Sequence, residues 1–208
     1  MIKEESKEKE KKTFTGILRS VFSKPLNLIG ETLFGWGISA NMITGIGLIG
    51  TIVGAFLVAQ GNLLAGGLVM GAMGALDGLD GAVARAAGET KIFGAFLDSV
   101  SDRYSELAIY SALSWYFSGI ENRLGVILSI LALGGSVLVS YTRARAEGLG
   151  IETKVGILTQ LERMIVIVPA LILNLPLIGT GIVAGLANFT ALQRIVHVRQ
   201  QAEKEDLA

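Results

Sequence analysis

The chain has 208 residues, 51% of them hydrophobic and only 17% charged, with a mean hydropathy of +0.57. That excludes an ordinary water-soluble domain, whose middle would carry far more charge, and the absence of cysteine excludes disulfides, thiolate catalysis and thiolate metal ligands. Its 18 Lys and Arg balance 18 Asp and Glu, so there is no net basic charge to hold a nucleic acid, although the charges are unevenly placed.

Residues 1–12 alternate Lys and Glu from Lys3 to Lys12 and read as a solvated tail. No uncharged stretch with a small-residue cleavage site follows, so no cleaved signal peptide is expected. In residues 13–36, Phe14, Ile17, Leu18, Val21 and Phe22 recur at helical spacing, with Lys12, Arg19 and Lys24 beside them. This predicts an amphipathic juxtamembrane helix lying on the cytoplasmic leaflet, set apart from the first span by Pro25, Gly30, Gly35 and Gly37.

Residues 37–200 form the expected membrane domain, and 201–208 a second tail. Apolar segments at about 39–59, 63–85, 93–117, 123–146, 162–175 and 177–197 predict an all-α fold, a six-helix transmembrane bundle. The fifth is short for a hydrocarbon core of about 30 Å. Every Lys and Arg except Arg123 falls in the N-terminal 36 residues, the 2–3 and 4–5 connections with their flanking helix ends, or the C-terminal end. The links Gln60-Gly61-Asn62 and Asn174-Leu175-Pro176 carry none. The positive-inside rule then predicts a multi-pass cell-membrane protein with both termini in the cytoplasm.

Four aspartates interrupt the second and third of these segments: Asp77, Asp80, Asp98 and Asp102. Each costs roughly 3 kcal/mol at the centre of a spanning helix, so a compensating cation or reaction is expected. Spacings of three and four put each pair on one side of its helix. Two such helices face to face would make a box of hard oxygen ligands, the set that suits Mg²⁺ or Mn²⁺ rather than zinc. A proton or sodium relay in an ion-coupled transporter is the other reading of that spacing. Gly67, Gly71, Gly74, Gly78 and Gly81 line one face of the second span, where a backbone or ligand can approach closely.

Residues 77–102 also match the pattern D-x-x-D-G-x-x-A-R-x8-G-x3-D-x3-D without departure. This resembles the signature of the CDP-alcohol phosphotransferase family of membrane enzymes. The resemblance implies a homodimeric phosphatidyltransferase that takes a CDP-lipid, passes its phosphatidyl group to an alcohol and releases CMP. It implies that Asp77, Asp80 and Asp98 ligate two divalent ions (Mg²⁺ or Mn²⁺), and that Asp102 adds a ligand or acts as general base. For the CDP-lipid it implies Gly81 and Gly94 as clearance, Ala84 and Arg85 as flanking residues, and Asn41 and Thr44 as contacts. Ala40 stands where relatives commonly have proline, and a helix cap is the competing role for Asn41.

Ser140 to Glu147, Glu162-Arg163 and Gln193 to Val198 resemble the branch whose acceptor is inositol phosphate, the phosphatidylinositol-phosphate and archaetidylinositol-phosphate synthases. Arg143, Arg145, Arg163 and Arg194 are the corresponding candidates for the acceptor's phosphate, which Arg grips bidentately. The positive-inside rule alone would also place Arg at such helix ends. Gln160 departs from the branch, which has Arg there, and glycerol phosphate is the alternative acceptor. Glu106 extends the 98–102 face and is expected to pair with an intramembrane Arg. The lone His197 reads as interfacial.

Overall fold

The structure, a computed structural model, describes residues 14–88, 92–153 and 155–205. Among these there are seven helices and no strand: α1 Phe14–Gly35, α2 Ala40–Ala59, α3 Leu63–Ala86, α4 Ile92–Gly119, α5 Arg123–Glu147, α6 Gln160–Ile172 and α7 Pro176–Glu205. The charged tail expected at 1–12 and residues 206–208 lie outside the described residues. Helices α2 to α7 coincide with the six apolar segments, α7 running past its segment to Glu205.

By length and composition, α2, α3, α5 and α7 can each cross a bilayer. Helix α4 has 28 residues, but Asp98, Asp102, Arg103 and Glu106 crowd its first half. Helix α6 has 13 residues, about 20 Å at 1.5 Å per residue. Ile49, Phe56, Leu68, Leu124, Ile130 and Ile178 are each more than half exposed on the four apolar helices, as side chains facing lipid would be. The described residues outside turns and loops are all helical, and four of the helices are long and apolar enough to cross a membrane.

Two compact units divide the chain, Met1–Ile49 with Ala72–Ser101 and Gly50–Gly71 with Asp102–Ala208. The divisions fall inside α2, α3 and α4, each a continuous helix.

In the first unit the chain leaves α1 at Gly35 and turns through Gly37 at φ +79°. Ser39 then starts α2, its hydroxyl accepting from the Met42 amide at 3.3 Å. Ser39, not Asn41, therefore occupies the cap position. Gly35 and Gly37 separate α1 from α2 as expected, whereas Pro25 and Gly30 lie inside α1. The side chains of Phe14, Ile17, Leu18, Val21 and Phe22, which carry the amphipathic reading, lie outside the described residues.

Gly30 is inside α1 for a packing reason. A Cβ there would sit 2.7 Å from the carbonyl carbon of Ala82, so the absent side chain lets α1 lie directly on α3. Gly30→Ala should overpack this contact by about 1–3 kcal/mol and lower the melting temperature in detergent. An unchanged melting curve would mean that the α1–α3 contact is not close.

The second unit holds the apolar core: Val58, Met70, Leu113, Phe117, Ile167, Leu171, Val183 and Ala187 are all buried. Helix α7 packs on α5 and on α6. Small residues set the approach distances. A Cβ at Gly66 would lie 2.7 Å from the Gly54 carbonyl oxygen, bringing α2 against α3, and one at Gly67 would lie 3.0 Å from the Leu171 Cβ of α6. Asn174, at φ +57°, makes the left-handed turn from α6 into α7.

Candidate active site

The first two aspartates sit on the last turns of α3 and the second two on the first half of α4. Asp98 and Asp102 are one turn apart on the continuous α4. An oxygen of Asp98 lies within 4.8 Å of one from Asp77 on α3 and of one from Asp102. Carboxylates this close repel one another and share one need, a positive charge beside them. All the donors are carboxylate oxygens, so the arrangement fits a hard divalent cation such as Mg²⁺ or Mn²⁺.

Asp80 sits beside this cluster. It is near enough to Asp98 to act on it electrostatically, and its Oδ2 accepts a 2.9 Å hydrogen bond from the Thr44 hydroxyl on α2. Thr44 is buried and also donates to the Ala40 carbonyl at 3.1 Å. In this structure, then, the Thr44 side chain orients an aspartate.

The remaining residues expected to meet the donor gather around the same helix ends. Arg85 is exposed and donates to Asn27 Oδ1 of α1 at 3.0 Å. A Cβ at Gly81 would lie 3.3 Å from Arg85 Nη1, and one at Gly94 would lie 3.4 Å from Asn41 Oδ1. Both glycines therefore leave clearance beside polar side chains, while Ala84 is half-buried. Of the glycine face on α3, Gly67 and Gly71 meet α6, whereas a Cβ at Gly78 would meet nothing within 4 Å.

The four arginines expected at the acceptor's phosphate divide into two pairs. Arg143 and Arg145 are exposed near the end of α5, with Arg143 bound to Glu147 at 2.8 Å. Arg163 and Arg194 are buried, 2% and 3% exposed, with partners inside the protein. Arg163 binds Glu106 through Nε at 2.7 Å and Nη2 at 2.5 Å, and donates from Nη1 to the Leu158 carbonyl at 3.0 Å. Arg194 donates to the Val155 carbonyl at 2.9 Å and to the Val139 carbonyl, tying the segment after α5 to α5 and α7. These two guanidiniums hold the protein together, because a buried charge must be paired and hydrogen-bonded. Glu106 is thus the ion-pair partner expected for an intramembrane Arg. His197 lines an open groove with Gly156, Phe189 and Gln193.

Arg103 was not among the residues expected at the site. It follows Asp102 directly and reaches Asp102 Oδ2 at 3.4 Å, Glu106 Oε2 at 3.2 Å and Gln160 Oε1 at 2.8 Å. The signal in the sequence was a cation next to a site aspartate and three residues before Glu106, a helical pairing distance. Its contact with Gln160 could not be read, since 57 residues separate them.

A family model described as CDP-alcohol phosphatidyltransferase matches residues 37–197. Among curated proteins, the archaetidylinositol phosphate synthase of Pyrococcus horikoshii is 35% identical over 187 residues, covering 89% of this chain and 97% of that protein. The phosphatidylinositol phosphate synthase of Streptomyces avermitilis is 32% identical, covering 91% of this chain and 84% of that one. The crystal structure of Mycobacterium tuberculosis phosphatidylinositol phosphate synthase with CDP-DAG bound superposes with a TM-score of 0.78 at 29% identity, over 83% of this chain and 92% of that chain. The same Mycobacterium protein in complex with manganese and citrate superposes with a TM-score of 0.77.

Proposed function

The chain belongs to the CDP-alcohol phosphatidyltransferase family, and on that footing we propose that it transfers the phosphatidyl group of a CDP-lipid to inositol phosphate, releasing CMP. The observation that carries this is the approach of the Asp77 and Asp98 carboxylates, with Asp102 one turn further along the continuous α4, on the residues of the family pattern. An ion-coupled transporter has no need of that whole pattern.

Bound at this cluster, a pair of divalent ions would offset the charge of the donor's pyrophosphate and of the departing CMP. Asp77, Asp80 and Asp98 would hold them, with Thr44 fixing the Asp80 carboxylate. Asp102, one turn along α4 from Asp98, would lend an oxygen to one of the ions and take the proton from the acceptor's hydroxyl. Gly81 and Gly94 would leave room for the nucleotide, bounded by Asn41, Ala84 and Arg85. The exposed pair Arg143 and Arg145 would meet the acceptor's phosphate. The names of the relatives from Pyrococcus and Streptomyces support inositol phosphate over glycerol phosphate. The charge pattern of the loops supports six spans with both termini and the site on the cytoplasmic side, and the family resemblance supports a homodimer.

Purified enzyme given CDP-diacylglycerol and Mg²⁺ or Mn²⁺ should release CMP with inositol phosphate, and much less with free inositol, which offers the arginines no charge. Arg143→Ala with Arg145→Ala should raise the KM for inositol phosphate roughly ten- to a hundredfold and leave that for the CDP-lipid unchanged. A preference for glycerol phosphate in the unaltered enzyme would replace the acceptor and leave the reaction class standing.

A further inference from the structure

We propose that Gln160 is a positioning residue for the metal site: its amide shares the Arg103 guanidinium with Asp102 and so loosens that guanidinium's hold on the Asp102 carboxylate, where it competes with a divalent cation. This rests on the metal reading above and goes beyond it.

The distances carry the inference. A fully formed Arg–carboxylate hydrogen bond measures about 2.7–2.9 Å. Arg103 Nη2 meets Gln160 Oε1 at 2.8 Å but Asp102 Oδ2 only at 3.4 Å. The same nitrogen thus favours a neutral amide from α6 over the charged carboxylate next to it in sequence. Its Nε lies 3.2 Å from Glu106 Oε2, an ion pair without a hydrogen bond.

Gln160 and Glu106 are themselves fixed. Gln160 opens α6 immediately after the N-cap Thr159, whose amide donates to Glu162 Oε2 at 2.8 Å in a capping box. Glu106 is held by Arg163, which is 2% exposed. The Arg103 side chain, about a third exposed, hangs between these two anchors. Released from Gln160, it could rotate onto Asp102 and compete with a cation for the same oxygen. No mobile cation could then bind without first displacing a tethered one.

The test is Mn²⁺ affinity, read by the loss of the free-ion electron paramagnetic resonance signal on detergent-solubilised protein without substrate. Gln160→Leu keeps the size and removes the acceptor, and it should weaken Mn²⁺ binding about tenfold, as loss of a partner that orients a metal ligand does. Gln160→Glu keeps an acceptor and should bind Mn²⁺ at least as well as the unaltered protein. Arg103→Met removes the competitor and should tighten binding, and adding Gln160→Leu to it should change nothing further. The opposite signs and the epistasis separate positioning from mere disruption, in which both single changes would weaken binding and their effects would add. Unchanged affinity in Gln160→Leu, weaker binding in Arg103→Met, or an additive double variant would each overturn the proposal while the metal reading stands. Failure of the unaltered protein to bind Mn²⁺ would overturn both together.

Discussion

Asp77→Asn and Asp98→Asn should each abolish phosphatidyl transfer and lose most of the divalent-ion affinity. Each change keeps the shape of the side chain and removes one formal charge from a facing pair, an oxygen of Asp77 lying within 4.8 Å of one from Asp98. A hard cation held only by carboxylates depends on their number and charge. Asp102→Asn should behave differently, since it keeps the shape and much of the metal coordination but cannot accept a proton. CDP-lipid should still bind, while turnover falls by the ~10²–10⁴ that goes with a lost general base. Steady-state CMP release, paired with Mn²⁺ titration, reads both effects. Full activity of Asp77→Asn or Asp98→Asn at ordinary Mg²⁺ would sink the two-metal reading. Equal losses of donor binding and turnover in Asp102→Asn would make that residue chiefly a ligand.

Glu106→Ala should be the most destabilising single change in the second unit. It strands the Arg163 guanidinium, 2% exposed, without its 2.5 Å partner. Breaking a buried pair from one side costs about 3–5 kcal/mol, because an uncompensated charge stays behind. Arg163→Ala leaves Glu106 with Arg103 alone, at 3.2 Å, and also removes the bond to the Leu158 carbonyl that secures the chain entering α6. Replacing both residues together, Glu106→Gln with Arg163→Met, should recover much of the loss, since no naked charge remains. Thermal melting in detergent measures this directly. The same experiment separates two roles for Arg163. A residue that grips the acceptor's phosphate would raise the acceptor KM and leave the melting point alone, whereas the pairing with Glu106 puts the loss in stability first.

The divided fate of the four arginines shows where reading the chain stops. Arg at a helix end satisfies the positive-inside rule, suits a phosphate and can also close a buried ion pair. Nothing local to Arg143 or Arg163 distinguishes these. Only the packing of α4 against the start of α6 puts Glu106 on Arg163, and only the fold of α5, α7 and the segment around Val155 buries Arg194. The Ser39 cap shows the same limit on a smaller scale. Asn41 and Ser39 are both good caps by type, and a two-residue difference in where α2 begins decides between them.

The helices, their order and the four aspartates were legible along the chain because their signals are local. Apolar runs of about 20 residues have few fates outside a membrane, and charges three or four residues apart share a helix face whatever surrounds them. The pattern from Asp77 to Asp102 is contiguous, so the reaction class could be read from it as well. Whatever depends on distant partners was decided by tertiary structure alone. Gly30 lies against Ala82, Thr44 orients Asp80, and Gln160 holds Arg103 across 57 residues of chain. A hydrogen bond is fixed by a distance of about 3 Å in space, and separation along the sequence carries no information about it.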